Sequence, residues 1–135
     1  MSSQKLSLAE RLDKLQLLQD LDIHLREAMD PKFRQTEEEM GFVISEEGVG
    51  KLQAIRDRQA AEMLADETLK KDLRLYDRIR QRHERAVERL ADLICLGCWA
   101  TQPMAGLMLA IKRGAIPRCE NCGRILHWTV GRDHP

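Results

Sequence analysis

The four cysteines of this chain form two C-x-x-C pairs, Cys95 with Cys98 and Cys119 with Cys122. A C-x-x-C pair in a tight turn brings two thiolates to one ion, and two such turns supply the four soft ligands of a tetrahedral site. Because no ligand is missing, no position stays open for water, so the pattern predicts one structural Zn²⁺. Iron is the minor competitor, since sites with four sulfur ligands accept both metals.

Other interpretations of the cysteines fit the sequence less well. Two disulfides would need an oxidising compartment, which nothing in the sequence indicates. A redox C-x-x-C pair starts a helix within a βαβ unit, and this context is absent here. Four unrelated buried thiols would not fall into two matched pairs. Gly97 and Gly123 lie in or just after a pair, where a knuckle turn often needs a positive φ, which glycine adopts readily.

Length and composition favour a helical protein. The chain has 135 residues, of which 33% are charged and only 4% aromatic, and this composition is typical of helices and coiled coils in one small domain, with or without an appendage. No apolar run reaches the roughly eighteen residues of a transmembrane helix, so we expect no membrane contact. The N-terminal sequence MSSQKLSLAERL lacks a signal-peptide core, and we therefore expect a cytoplasmic protein, in agreement with thiols that hold metal.

The net charge is zero, but the charges are unevenly distributed. Residues 10–47 hold eleven Asp and Glu against five Lys and Arg, a net charge of −6, whereas residues 74–135 hold eleven Lys and Arg against six Asp and Glu, a net charge of +5. Solvated helix faces explain this pattern, and a basic surface for nucleic acid or an acidic partner is the alternative. A run of arginines scatters around one predicted helix instead of lining a face: Arg78, Arg80, Arg82, Arg85 and Arg89.

The N-terminal part predicts a long amphipathic helix over residues 5–29. Apolar residues recur there every three or four positions: Leu8, Leu12, Leu15, Leu18, Leu21, Leu25 and Ala28. Ser7 and Glu10 have the spacing of a capping box, and the Asp30-Pro31 dipeptide ends the helix, because the residue before proline avoids the α conformation. Residues 31–50 form a connector, with a helical turn or two near Gln35–Met40 and breaks at Gly41, Gly48 and Gly50.

Further elements follow in the C-terminal part. Residues 51–64 predict a second helix, and a third runs from Asp66 to about residue 84. Residues 86–94 fit either a continued helix or a strand, and we expect a short strand to enter Cys95. Met104–Arg113 predicts a helix that Gly114 terminates, and a strand follows over Ile125–Val130.

These motifs together resemble a bacterial family of coiled-coil proteins that end in a four-cysteine zinc ribbon. The family opens with a leucine-rich LQ-x-LD helix, which LQLLQDLD around Leu18–Asp22 matches. It ends with a C-x-G-C knuckle, a segment rich in Pro and Gln, and a C-x-x-C-G-R-I-L run. Cys95–Cys98, Gln102-Pro103 and Cys119–Leu126 match these three features.

The resemblance implies a mainly α fold, in which a helical hairpin or short antiparallel coiled coil precedes a small zinc ribbon built of β-knuckles. We expect the hairpin to occupy residues 1–84, with its connector at about 31–50, and the ribbon to occupy residues 85–135. The helical part is shorter than in the family, so we expect a compact bundle instead of a long rod. Relatives are linked to transcription, RNA or secretion, but fold alone does not determine function.

The closed metal site and the helices favour a non-enzymatic adaptor or regulator that contacts a protein partner, with transcription or secretion as its setting. Trp99 and Trp128 lie beside the knuckles and either anchor such an interface or cover the thin ribbon core. The main alternative is nucleic-acid binding through basic residues of the ribbon: Lys112, Arg113, Arg118 and Arg124.

Two further hypotheses carry less support from the sequence. A secondary-channel regulator of RNA polymerase would use acidic residues near the hairpin tip: Glu37, Glu38, Glu39, Glu46 and Glu47. An enzyme would need a catalytic set, and the four histidines are scattered at His24, His83, His127 and His134. Neither paired carboxylates nor a nucleophile with its base stands out, so we expect no catalysis and no small-molecule substrate.

Overall fold

A computed structural model of the chain describes residues 6–128, a part that contains five helices and three short strands. The helices are α1 (Leu8–Met29), α2 (Pro31–Glu39), α3 (Glu46–Leu64), α4 (Glu67–Arg80) and α5 (Met104–Arg113). The strands are β1 (Val87–Ala91), β2 (Ile94–Cys95) and β3 (Ile125–His127). The protein is therefore mainly helical with one small sheet, as the sequence predicts. None of these helices combines the length and the apolar character that crossing a membrane requires.

Local sequence signals determine both ends of α1. The backbone N–H of Glu10 donates to Oγ of Ser7 at 3.1 Å, which confirms the predicted N-cap. At the other end, Asp30 has an extended backbone and is the C-cap of α1. The predicted leucine stripe is buried from Leu12 to Ala28, whereas Leu8 at the start of the helix is half-buried.

The connector predicted for residues 31–50 is mostly helical, and the helical turn or two expected near Gln35–Met40 is part of the longer helix α2. Pro31 starts α2 because its fixed φ suits the first helical position and the Asp30 side chain caps the helix. Gly48 lies inside α3 because the Ser45 side chain accepts a hydrogen bond from its N–H and starts the helix there. Of the three glycines, only Gly41, with a φ of +90°, interrupts the helical structure as predicted.

Helices α1, α3 and α4 each contact the other two and enclose the larger core. Asp66 caps α4 through hydrogen bonds to its first turn, as its predicted start requires. Helix α4 ends at Arg80 instead of near residue 84. Its buried stripe runs through Leu69, Leu73, Tyr76 and Ile79.

The sheet has the strand order β2-β1-β3. Strand β1 pairs antiparallel with β2 through Leu90 and Cys95, and parallel with β3 through Val87 and Ile125. Residues 86–94, for which the sequence allowed either a helix or a strand, are therefore mostly strand, and a strand does enter Cys95. Strand β3 ends at His127, and the predicted extension to Val130 reaches residues 129–135, which lie outside the described part.

The sheet and the helical bundle share part of their core. Ala86, Val87 and Ile125 are buried in the same cluster as the leucines of α1 and the apolar face of α4. A second, smaller cluster surrounds the cysteines and includes Leu107 and Trp128. The division of the chain at residues 84 and 85 stays a prediction.

Candidate metal centre

The fold brings the four cysteines to one point. Cys95 ends β2, Cys98 lies in the turn after it, and Cys119 and Cys122 lie in the turn that precedes β3. Their four Sγ atoms lie within 4.8 Å of one another, and Cys95 and Cys119 are buried. The predicted ligand set is thus assembled in space.

The sulfur–sulfur distances match a shared ion and not disulfides. The Sγ atoms of Cys95 and Cys122 are 3.9 Å apart, and those of Cys98 and Cys119 are 3.5 Å apart. A disulfide would need about 2.05 Å, and all four thiols are free. Around a tetrahedral ion with metal–sulfur bonds of about 2.3 Å, neighbouring sulfurs lie about 3.8 Å apart. The cluster therefore has the size of a tetrahedral four-sulfur site.

The two cysteine turns have the same backbone pattern. We call residues 94–101 the first knuckle and residues 118–125 the second knuckle. In each, the N–H of the first cysteine donates to the carbonyl two residues after the second cysteine, at 3.0 Å in the first knuckle and 2.8 Å in the second. In each, the residue after the second cysteine donates its N–H to the carbonyl of the first cysteine, at 2.7 and 2.9 Å. The outer residues form an antiparallel bridge in both knuckles.

This equivalence pairs Trp99 with Gly123. Both follow the second cysteine of their knuckle, and both have a left-handed backbone, with φ values of +67° and +77°. Glycine adopts this conformation readily, whereas a bulky side chain is strained in it. The strained residue is also 71% exposed, so burial inside this chain does not explain a tryptophan at this position.

Gly97 differs from the expectation of a positive φ. The backbone of Gly97 is not left-handed. A Cβ atom there would lie 2.6 Å from the Glu88 side chain and 2.7 Å from that of Arg124. Glycine is needed because the ion pair of these two side chains passes directly over the first knuckle.

Gln102 supports the cluster, a role that the sequence did not predict. Its side chain is buried, and Nε2 donates to Sγ of Cys119 at 3.2 Å. Its Oε1 accepts from the N–H of Glu120 at 3.0 Å. Gln102 thereby connects the segment after the first knuckle to the second one. The only sequence signal for this role was the position of Gln102, which lies before Pro103 between the two C-x-x-C pairs.

Hydrogen bonds and burial give the thiols different pKa values. Burial raises the pKa of Cys95 and raises that of Cys122 to about 12. The side chain of Asn121 and the N–H of Ala100 lower the pKa of Cys98 to about 6 by hydrogen bonding to its thiolate. A thiol whose pKa is raised, such as that of Cys122, keeps its proton at neutral pH unless a cation compensates the charge of the thiolate. The donor set is therefore suited to a soft metal ion.

The remaining predicted site residues have different surroundings. Trp128 is 5% exposed and belongs to the core around the cysteines, so it covers this core instead of anchoring an interface. Arg124 pairs with Glu88 at 3.0 Å. Three other basic residues are exposed: Lys112, Arg113 and Arg118.

His127, the histidine nearest the cysteines in sequence, is bonded to a helix instead of belonging to the cluster. Its Nε2 lies 3.0 Å from Oδ1 of Asp13 on α1.

Comparisons of the chain with protein-family models, with curated proteins and with solved structures gave no match.

Proposed function

We propose that this chain is a non-enzymatic zinc-ribbon protein that docks a protein partner through Trp99. In this proposal Cys95, Cys98, Cys119 and Cys122 hold one structural Zn²⁺. Four thiolates are the donor set that zinc takes in structural sites, and they leave no coordination position for a substrate. Free thiols suit a reducing compartment, so we place the protein in the cytoplasm.

The exposure and backbone strain of Trp99 carry the docking proposal. Its left-handed backbone costs free energy that glycine, at the matching place in the second knuckle, avoids. A residue that is strained and stays mostly exposed in its own chain supports a contact with another molecule. Tryptophan is also among the residues that contribute most to protein interfaces.

Helix α5 extends the surface on which a partner could rest. It begins five residues after Trp99 and leaves Met104, Met108 and Leu109 exposed. Flexible methionines suit surfaces that adapt to a partner. Lys112 and Arg113 close the helix and would favour acidic residues on that partner. Membership in the bacterial ribbon family, and with it a role in transcription or secretion, rests on sequence resemblance alone.

Affinity capture with matched variants tests this function. Trp99→Gly removes the side chain and places at this position the residue that its counterpart in the second knuckle already has. Phe42→Ala is the control, because Phe42 is another exposed aromatic residue, at 58%, far from the cysteines in sequence. We expect wild type and Phe42→Ala to recover the same protein and Trp99→Gly to lose it. Equal recovery by all three would disprove docking through Trp99.

A further inference from the structure

A cleft of about 340 Å³ opens between the end of α4 and the second knuckle. Arg78, Arg82 and His83 line it on the side of α4. Arg118, Glu120 and Asn121 line it on the side of the knuckle. Three arginines thus meet one carboxylate in a concave site that Trp99 does not line.

Several arginines elsewhere in the chain form ion pairs. Arg56 and Arg80 both contact Asp22, at 2.8 and 2.9 Å, and Arg124 contacts Glu88 at 3.0 Å. By contrast, no arginine of the cleft has an ion pair within the described part of the chain. The cleft therefore holds arginines without a carboxylate partner, and Cys122, one of the proposed metal ligands, also lines it.

The arrangement of the arginines holds like charges together. Arg78 lies in the last turn of α4 and Arg82 lies two residues beyond its end at Arg80, so the fold holds two like charges at one cleft, which costs free energy. Their position at the C-terminal end of α4 offsets part of this cost through the helix dipole. No such effect applies to Arg118, whose Nε donates to the carbonyl of Gly123 at 2.9 Å and so fixes the guanidinium over the knuckle.

The carboxylate of the cleft is directed toward another element. Oε1 of Glu120 lies 3.3 Å from the position that a Cβ atom on Gly106 of α5 would take. Asn121 adds an uncharged amide to the lining. The groups available to a ligand are therefore mostly cationic and hydrogen-bond donors.

We propose that this cleft binds phosphate groups, with Arg78, Arg82 and Arg118 as the donors. Guanidinium groups match the geometry of phosphate oxygens and stay charged at any physiological pH. The ligand would be either a single-stranded nucleic acid or a small molecule with neighbouring phosphates. This site goes beyond the proposed docking through Trp99 and does not depend on it.

The test measures binding of two probes to the metal-loaded full chain, pyrophosphate by calorimetry and a fluorescent oligothymidylate by anisotropy. If all three arginines contact phosphates of the oligonucleotide, its affinity falls about 20-fold between about 50 and 200 mM salt. For the double variant Arg78→Gln/Arg82→Gln, the remaining contact predicts a fall of only about 3-fold, from a weaker starting affinity. The control is Arg58→Gln, which removes the same kind of charge from an exposed position on α3.

Each outcome decides the proposal. Loss of either probe in the double variant but not in Arg58→Gln supports it, and the probe that binds identifies the source of the phosphate. Absence of binding by wild type at low salt overturns it, as does an equal loss in Arg58→Gln. The arginines could instead serve only as counter-charges to the metal-bound thiolates. In that case the double variant would lose metal by native mass spectrometry, while wild type would bind neither probe, and this result also overturns the proposal.

Discussion

The side-chain amide of Gln19 bonds both backbone groups of Val87. Its Nε2 donates to the Val87 carbonyl at 2.9 Å, and its Oε1 accepts from the Val87 N–H at 2.7 Å. Gln19 is fully buried on α1, and Val87 is the first residue of β1. One side chain of α1 thus satisfies the backbone hydrogen-bonding groups at the start of β1. It thereby determines where the sheet packs against the bundle.

Gln19→Ala is expected to lower the free energy of unfolding by about 2–4 kcal/mol, because it leaves a buried N–H and a buried carbonyl without partners. Gln16→Ala is the control, since Gln16 lies on the same helix and only bonds Asp20 one turn away. That substitution should cost at most about 0.5 kcal/mol. Urea denaturation measures both values, and equal losses would show that the Val87 contact does not stabilise the fold.

Tyr76 is expected to make stability fall at alkaline pH. Its hydroxyl donates to Asp22 at 2.8 Å, and burial, followed by this hydrogen bond, raises its pKa well above the usual value. The folded state therefore favours the neutral phenol. Its contribution is complete below the unfolded pKa of about 10 and is lost as pH rises toward the folded pKa.

The chain has a single tyrosine, so the near-ultraviolet absorbance of tyrosinate reports Tyr76 directly. We expect this absorbance to appear only at a pH above that of a free tyrosine, or together with unfolding. Tyr76→Phe should cost about 1.5–3 kcal/mol at neutral pH and flatten the alkaline decline. Titration of wild type near pH 10, with the fold intact, would contradict the assignment.

Metal removal is expected to unfold the region around the cysteines while the bundle survives. The smaller core there is made partly of the cysteines themselves, and structural zinc contributes roughly 10–16 kcal/mol in small peptides. Chelator, or Cys119→Ser, should therefore remove hydrogen-exchange protection from β1, β2 and β3. Helices α1 and α3 should retain theirs.

Glu120→Ser is the control for this experiment, because it changes a residue of the same turn that is not among the clustered thiols. It should keep both the metal and the protection. Native mass spectrometry gives the metal content in parallel. Unchanged protection in chelated wild type, after complete loss of the ion, would mean that the metal does not hold this part of the fold.

The paired positions of Trp99 and Gly123 predict opposite effects of substitution. Gly123→Ala should cost about 1–2 kcal/mol, because alanine is strained in a left-handed backbone. Trp99→Gly should leave stability unchanged or raise it by up to about 1 kcal/mol, since relief of strain offsets the entropy of glycine. Thermal denaturation of the metal-loaded proteins distinguishes the two. A loss in Trp99→Gly as large as that in Gly123→Ala would indicate that Trp99 stabilises its own chain.

Several features were predictable because their causes are local. The N-cap at Ser7, the helix over Met104–Arg113 and its left-handed end at Gly114 follow from neighbouring residues, and the structure has all three. The C-x-x-C spacing likewise identified the four thiols that now lie within 4.8 Å. The connector over residues 31–50 was mispredicted for a local reason too, since the caps at Asp30 and Ser45 outweigh the glycines.

The sequence by itself determined where α1, α4 and α5 begin and which residues could share an ion. Only the tertiary structure decided which tryptophan is exposed, which arginines have carboxylate partners, and that Gln19 and Gln102 are buried connectors. Gln19 and Val87 are 68 positions apart, and no periodicity or spacing encodes such a pair. Burial and ion pairing depend on which surfaces meet when the chain packs, and that is a property of the whole fold instead of any segment.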